Sequence, residues 1–161
     1  MSELFTDEYD GRQVITIENA KIRFKNFSGK PTSINPEGGV RQFCVDLPDE
    51  KTAKNMKKDG WNVKEYTNAD GDIEAYYIPV EVGYKYFPPV INLFAPDGVS
   101  TTYTEENVHE LDNMHFEEIG IAINPYPWGY GGKSGIKAYL RQFNALIIPD
   151  RLNKNWGNRF N

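Results

Sequence analysis

Apolar and polar residues alternate with a period of two along several parts of the chain. The clearest segments are 14–24, 40–47, 119–124 and 134–148, in which every second side chain is apolar over most of the length. Successive side chains of a β-strand point to opposite faces, so this period is typical of strands with one face in a core. The pattern therefore predicts a β-rich domain.

Turn sequences and one amphipathic segment complete the predicted elements. Asn68–Gly71 and Pro96–Gly98 have the composition of hairpin turns. A short helix is expected to begin at a cap on Asp46, with Pro48 in its first turn, and to end near Lys58. Residues 105–118 are a weaker helical candidate, and residues 125–133 are rich in turn formers.

This order of elements predicts an all-β fold with one or two short helices. We expect a partly closed barrel of the OB type with elaborated loops, and a β-sandwich is the alternative. The predicted division is an acidic flexible arm over residues 1–12, the barrel domain over residues 13–148 and a polar C-terminal tail over residues 149–161.

Composition and charge narrow the class of protein. The 161 residues include 14% aromatic side chains and a single cysteine, Cys44, so no intramolecular disulfide is possible. No stretch of 18 apolar residues could span a membrane, and a cytoplasmic location is expected. The net charge of −5 hides an uneven distribution, because residues 1–10 and 105–118 are strongly acidic and the rest of the chain is basic.

Two segments resemble catalytic or metal-binding motifs, but neither has all the residues that its motif requires. Gly132-Lys133-Ser134 resembles the end of a phosphate-binding loop, but Pro127 stands where that motif needs glycine, and a strand follows instead of a helix. His109 and His115 are six residues apart, which is not a zinc-binding spacing. We therefore predict no enzyme activity, no catalytic residues, no metal site and no cofactor.

The positive signal is an alternation of aromatic and basic residues near the end of the chain. If residues 134–145 form a strand, its core-facing side is Ile136, Ala138 and Leu140. The other side is Lys137, Tyr139, Arg141 and Phe143. Bases of single-stranded nucleic acid stack on aromatic rings while cations neutralise phosphates, so this face is typical of a single-stranded nucleic acid platform. The same spacing also occurs in strands that use aromatic residues for a second packed face.

Further candidate contacts lie in three other places. Near the start, a basic strand face leads to an aromatic residue at a predicted loop tip, and these candidates are Lys21, Arg23, Lys25, Phe27 and Lys30. The remaining candidates are Trp61, Tyr126, Trp128 and Lys133. For the aromatic residues of 125–133, packing against the end of the barrel is an equally good interpretation.

Three segments in order carry a resemblance to a known family. Asn19–Gly29, Asp59–Lys64 and Gly132–Leu140 resemble phage-encoded single-stranded DNA-binding proteins with an OB-type barrel, and the likeness spans about residues 17–148. The resemblance implies sequence-tolerant binding of single-stranded DNA in phage replication or recombination, without catalysis, in the host bacterial cytoplasm. Replication or recombination proteins are the expected partners, and a homo-oligomer is a further candidate assembly.

The motif match implies DNA contacts at positions that the alternation had already selected. These are Lys21, Arg23, Lys25, Phe27, Lys137, Tyr139 and Arg141. Many proteins of this kind end in an acidic tail, whereas residues 155–161 contain no acidic run. We hypothesise that the acidic segment 105–118 or the acidic arm does part of that work by competing for the DNA groove.

A second function of a different class is compatible with the same residues. The aromatic loops could form a protein-binding patch on a phage interaction or structural module, since exposed aromatic residues also mark interfaces. An isoelectric point of 5.1 favours this alternative slightly, because proteins that bind DNA without sequence preference are usually basic.

Overall fold

The computed structural model describes residues 2–148, which form ten β-strands, one α-helix and one 3-10 helix. The first strands are β1 (Glu3–Tyr9), β2 (Arg12–Ala20), β3 (Ile22–Asn26), β4 (Gln42–Asp46) and β5 (Lys64–Thr67). The others are β6 (Ile73–Glu81), β7 (Val90–Phe94), β8 (Ser100–Tyr103), β9 (His115–Tyr130) and β10 (Lys133–Ile148). Helix α1 spans Glu50–Asp59, and the 3-10 helix η1 spans Val108–Asn113.

The sheet curls into a barrel because one bent segment contributes to both of its ends. The strand order is β1-β2-β9-β10-β6-β4-β3, and β5, β7 and β8 are attached to its middle. Strands β2 and β3 follow each other with only Lys21 between them, yet β2 pairs with β9 and β3 pairs with β4. A register shift between Ile17 and Ala20, with Asn19 at a φ of 51°, marks the bend.

Aromatic rings fill the centre of the barrel. Phe27, Phe43 and Phe143 are each completely buried, and their ring centroids lie 5.4–5.9 Å apart. Such offset or edge-to-face pairs add to the stabilisation from burying the rings. Aliphatic side chains from β2, β6 and β9 surround this trio, including Ile17 and Ile121.

The predicted fold is confirmed as an all-β, OB-like architecture with two short helices, and the sandwich alternative is not adopted. The helix begins later than expected, because the N-cap is Asp49, whose side chain accepts a hydrogen bond from the Thr52 N–H at 2.7 Å. Asp46 instead ends β4 and pairs with Arg23. Both expected hairpin turns, 68–71 and 96–98, are present.

Three segments differ from the expectation. The acidic N-terminal segment is β1, which pairs with β2 along its whole length from Glu3 to Tyr9, so it is not a flexible arm in this structure. Only residues 108–113 of the acidic segment 105–118 are helical, and β9 already begins at His115. Most of 125–133 belongs to β9 rather than to a loop. The predicted tail, 149–161, lies outside the described residues, and the division into three regions stays a prediction.

Candidate nucleic-acid interface

The outer face of β10 carries alternating basic and aromatic side chains. Ala138 and Leu140 are buried in the core, which turns Lys137, Tyr139 and Arg141 to the outside of the barrel. Tyr139 and Arg141 are partly buried, whereas the Lys137 side chain is 46% exposed. The three side chains therefore share one accessible face, as the alternation predicted.

Strand β9 supplies the other half of this face. Tyr126 lies directly opposite Lys137 in the antiparallel register, and Asn124 lies opposite Tyr139. The Tyr126 and Tyr139 rings meet edge to face with centroids 5.9 Å apart, and Lys137 Nζ lies 5.2 Å from the Tyr139 ring centre. Arg141 Nη1 donates a hydrogen bond to Asn124 Oδ1 at 3.3 Å. Rings and cations thus form one continuous surface.

We call this surface the aromatic face and define it by Tyr126, Trp128, Lys137, Tyr139 and Arg141. Tyr126 is 58% exposed and Trp128 is 43% exposed, so both rings offer area to a ligand. Trp128 lies opposite Gly135, where an added Cβ atom would come within 3.0 Å of the indole. The absence of a side chain at Gly135 therefore lets the indole lie flat against β10.

The aromatic residues of 125–130 lie on a strand because the β9–β10 hairpin extends beyond the rest of the sheet. The pairing of β2 with β9 ends at Ile123, so the following part of β9 has one free edge. Pro125 and Pro127 are tolerated there, since an edge strand can lack an N–H without breaking a ladder. Gly131 and Gly132, both at positive φ, close the hairpin.

A cleft of about 480 Å³ opens beside the aromatic face, between β10 and β6. Trp61 and Trp128 both contribute to its walls, together with Gln42 and Glu81. Trp61 is only 7% exposed, because the Ile136 N–H donates to the Gly60 carbonyl at 2.9 Å and ties this segment to β10. Trp61 is a cleft-lining core residue rather than an exposed platform residue.

An ion pair crosses the same region. Lys137 Nζ lies 3.0 Å from Glu81 Oε1, on the strand next to β10. Partial burial lowers the pKa of Lys137, but the hydrogen bond and negative charge of Glu81 outweigh that effect and raise the pKa above its ordinary value. Lys137 is therefore fully charged at neutral pH, and a phosphate that binds there competes with Glu81.

The three outlying lysines among the candidates are all exposed. Lys133 begins β10 beside the Gly131-Gly132 turn, at the tip of the hairpin that carries the aromatic face. Lys21 lies between β2 and β3, and Lys30 follows β3 in the 27–41 loop. A DNA-contacting role for each of them stays a prediction.

Arg23 and Lys25, the cations of β3, bind partners within the protein. Arg23 Nε lies 2.7 Å from Asp46 Oδ1, and Nη2 donates to Oδ2 at 3.1 Å. The hydrogen bond to Asp46 raises the pKa of Arg23 against the opposing effect of burial. Lys25 Nζ donates to the backbone carbonyls of Leu111 and Met114, and burial lowers its pKa. The predicted open basic face is therefore wrong at both positions.

Two predicted DNA-contacting aromatic residues belong to the core. Phe27 is completely buried, and its backbone N–H donates to Asp112 Oδ1 at 2.7 Å, so it is not an exposed loop tip. Phe143 is also completely buried. A register shift between Leu140 and Gln142 inserts one residue into β10, and this bulge turns Phe143 to the opposite face from Tyr139.

Two polar residues of the interface were missed in the sequence. Glu81 follows Ile78 and Val80 in an alternation that assigns it to the outer face, but its contact with Lys137 joins positions 56 residues apart. Asn124 was included in a predicted strand without any role. No local signal identifies such partners, because both contacts depend on strand pairing.

Within residues 2–148, no group of three or more His, Cys, Asp or Glu side chains could hold a metal ion. None of the helices in this range is long and apolar enough to cross a bilayer.

The sequence of residues 7–159 matches the protein family described as "Putative phage ssDNA-binding domain". The chain belongs to this family. The resemblance inferred from the three motif segments is thus confirmed, and so is single-stranded DNA binding as the expected function at the level of the family. No curated protein matches the chain.

Solved structures similar to this phage domain have low sequence identity to it. The single-stranded DNA-binding protein from bacteriophage Enc34, in a C-terminally truncated form, is 11% identical with a TM-score of 0.49, covering 85% of this chain and 87% of that chain. The same phage protein in complex with ssDNA is 12% identical with a TM-score of 0.48, covering 85% and 88%. Likeness at this level does not identify which residues contact DNA here.

Proposed function

We propose that the aromatic face binds single-stranded DNA by stacking bases on its rings and pairing phosphates with its cations. Tyr126, Trp128 and Tyr139 would hold successive bases, while Lys137 and Arg141 would neutralise the neighbouring phosphates. Lys133 at the hairpin tip and the cleft lined by Trp61 extend the same surface. Because rings accept any base, the binding would tolerate different sequences.

The observation that carries the proposal is the shared outer face of Tyr139 and Arg141 beside Tyr126. The edge-to-face ring pair at 5.9 Å and the guanidinium that donates a hydrogen bond to Asn124 hold two aromatic rings next to a fixed cation. Such partly ordered side chains lose less freedom on binding than mobile surface residues would. The arrangement suits an extended, flexible polynucleotide.

We infer that the protein acts without catalysis. A stacking surface with cations positions a strand by binding alone, and membership of a family described by ssDNA binding supports this role. Membership of a phage ssDNA-binding family supports a role in protecting or organising single-stranded DNA during phage replication or recombination, in the host bacterial cytoplasm. Contacts with replication or recombination proteins, and self-association, stay predictions.

The test is a titration of labelled oligo-dT by fluorescence anisotropy over a series of salt concentrations. We expect affinity to fall as salt rises, because bound cations release counterions from the strand. Tyr139→Ala should weaken binding by about 1–3 kcal/mol, the range for one stacked base. Tyr139→Phe keeps the ring and should bind nearly as the unchanged protein does.

Tyr76→Ala is the matched control for loss of packing. Tyr76 is also a partly buried tyrosine but lies on the inner side of β6, against the core cluster. If both alanine variants weaken DNA binding equally, the effect comes from the fold and not from stacking. Full affinity in Tyr139→Ala would remove the aromatic face as the binding site, and binding only to a protein partner would favour the interaction-module alternative.

A further inference from the structure

We propose that the DNA path continues from the aromatic face onto a second stacking site formed by Tyr9, Arg12 and Phe87. This inference rests on the proposed function and extends it to residues that the sequence pattern did not select. The site would take one or more further nucleotides of the same strand, and it lies on the β1–β2 hairpin and on the loop between β6 and β7.

The first step of the path is the contact between Arg141 and Tyr9. The Arg141 guanidinium carbon lies 5.5 Å from the centre of the Tyr9 ring, and Tyr9 is 51% exposed. Arg141 therefore has Asn124 and the aromatic face on one side and the N-terminal hairpin on the other. A strand that follows the rings of β9 and β10 reaches Tyr9 without leaving this surface.

The second step is the end of the N-terminal hairpin. Tyr9 lies directly opposite Arg12, and opposite residues of an antiparallel pair share one face of the sheet. This face is the outer one, because Ile15 and Ile17 of β2 are buried in the core. Tyr9 and Arg12 are thus on the same side of the barrel as the aromatic face, roughly 14 Å from β10 across three strand spacings.

The third step is the loop that follows β6. The Arg12 guanidinium carbon lies 5.6 Å from the centre of the Phe87 ring, and Phe87 is 67% exposed. The same loop begins near the aromatic face, since Gly83 lies close to the Tyr139 ring. Most of the Phe87 ring is accessible beside the guanidinium, and both groups offer flat surfaces on which a base can stack.

Charge distinguishes the new site from the aromatic face. Asp7 shares the outer face of β1 with Tyr9, and Asp10 occupies the adjacent turn. These two carboxylates offset the positive charges of Arg12 and Arg141, so stacking would provide most of the binding and Arg12 would contact a phosphate. A site of this kind captures a strand that is already bound at the aromatic face, rather than recruiting free DNA.

The experiment compares two lengths of labelled oligo-dT, about 4 and about 16 nucleotides, the limits of the usual site size for one OB fold. We expect Phe87→Ala to bind the long oligonucleotide at least about 5-fold more weakly and to bind the short one as the unchanged protein does. Arg12→Ala should also lower the salt slope on the long oligonucleotide by about 0.7, the value for one phosphate contact on a single strand. Tyr139→Ala should weaken binding to both lengths.

Phe94→Ala and Phe87→Trp are the controls. Phe94 is an exposed phenylalanine opposite Leu146, five residues beyond Arg141 on β10, and its loss should change neither affinity. Phe87→Trp keeps a stacking ring and should preserve the affinity for the long oligonucleotide. Melting temperatures of all variants check that the fold is intact.

Each result decides between the two proposals. If Phe87→Ala and Arg12→Ala bind both lengths normally while Tyr139→Ala does not, the second site is wrong and the aromatic face stands. If Phe87→Ala weakens both lengths equally, Phe87 belongs to the primary site and the extension is also wrong. If no variant, including Tyr139→Ala, changes binding to either length, the proposed function of the aromatic face fails as well.

Discussion

Two strands of this protein carry nearly the same pattern of basic and aromatic residues, and the fold uses them in opposite ways. In β3, Arg23 pairs with Asp46 and Lys25 donates hydrogen bonds to backbone carbonyls within the protein. Phe27, just after β3, lies in the core. In β10, Lys137 and Tyr139 remain on an accessible face. The sequence resemblance between the two patterns does not extend to their surroundings.

The difference lies in what covers each outer face. β3 is flanked by η1, whose Leu111 carbonyl accepts a hydrogen bond from Lys25, and by β4, which supplies Asp46. The first half of β10 is paired with β9 in a hairpin that extends past the sheet, and its other side faces a cleft. Alternation thus predicts the face to which a side chain points, whereas a neighbouring element decides whether that face meets solvent.

The largest expected effect is a difference in stability between variants of Phe27 and Tyr126, two aromatic residues that the sequence pattern predicted alike as DNA contacts. Phe27→Ala should lower the free energy of unfolding by about 3–5 kcal/mol, because it empties the centre of the core. Tyr126→Ala should change stability by less than about 0.5 kcal/mol but weaken DNA binding by about 1–3 kcal/mol. Urea unfolding and oligo-dT anisotropy measure the two quantities.

Phe27→Leu provides a milder version if the alanine variant does not fold, since it preserves most of the buried volume. The assignment of Phe27 to the core alone would be wrong if a folded Phe27 variant lost DNA affinity without losing stability. The comparison of the two residues would also fail if Tyr126→Ala proved as destabilising as the core substitution.

A smaller effect is expected for the cations of the first strand. Arg23→Ala should cost about 3 kcal/mol of stability, because it leaves the mostly buried Asp46 carboxylate without its bidentate partner. Lys54→Ala is the matched control: Lys54 lies 2.8 Å from Glu50, but the pair is exposed and should contribute only about 0.3–0.5 kcal/mol. Equal losses in the two variants would show that the Arg23 pair behaves as an ordinary surface pair.

The smallest expected effect concerns the carboxylate that competes for the binding face. Glu81→Gln removes the charge that holds Lys137, so binding of oligo-dT at low salt should become about 2-fold tighter. Glu65→Gln on the neighbouring β5 changes the net charge by the same amount and should have less effect. Weaker binding in Glu81→Gln would mean that the ion pair positions Lys137 for DNA instead of competing with it.

Much of the fold could be predicted from the sequence because its signals are local. Period-two alternation indicated most of the long strands, and the turn sequences at 68–71 and 96–98 indicated two hairpins. Asp10-Gly11 is an equally strong signal that was overlooked: both residues have positive φ, as a two-residue hairpin turn requires, and they join β1 to β2. Without this turn, the segment before it has no predicted partner strand, which is why a flexible arm was expected there.

The interface was less predictable because its decisive features depend on pairing between distant strands. The bulge after Leu140 reverses the alternation, so Phe143 could not be assigned to the core by counting residues. Pro125 and Pro127 indicated a loop, since only the free edge of the long hairpin makes them compatible with a strand. The ring–cation contacts of Tyr9 and Phe87 join four separate elements.

The extra residue in β10 gives this strand two independent halves. Phe143 and Ala145 are buried in the interior and residues 142–146 pair with the neighbouring β7, whereas residues 133–135 project with the end of β9 as a largely solvated finger. Substitutions in the finger can therefore alter ring size, charge or reach while the barrel interior is preserved. The same scaffold could be redesigned for other extended polymers by exchanging only the tip of this hairpin, with Ile136, whose N–H is bonded to the Gly60 carbonyl, as the boundary of the graft.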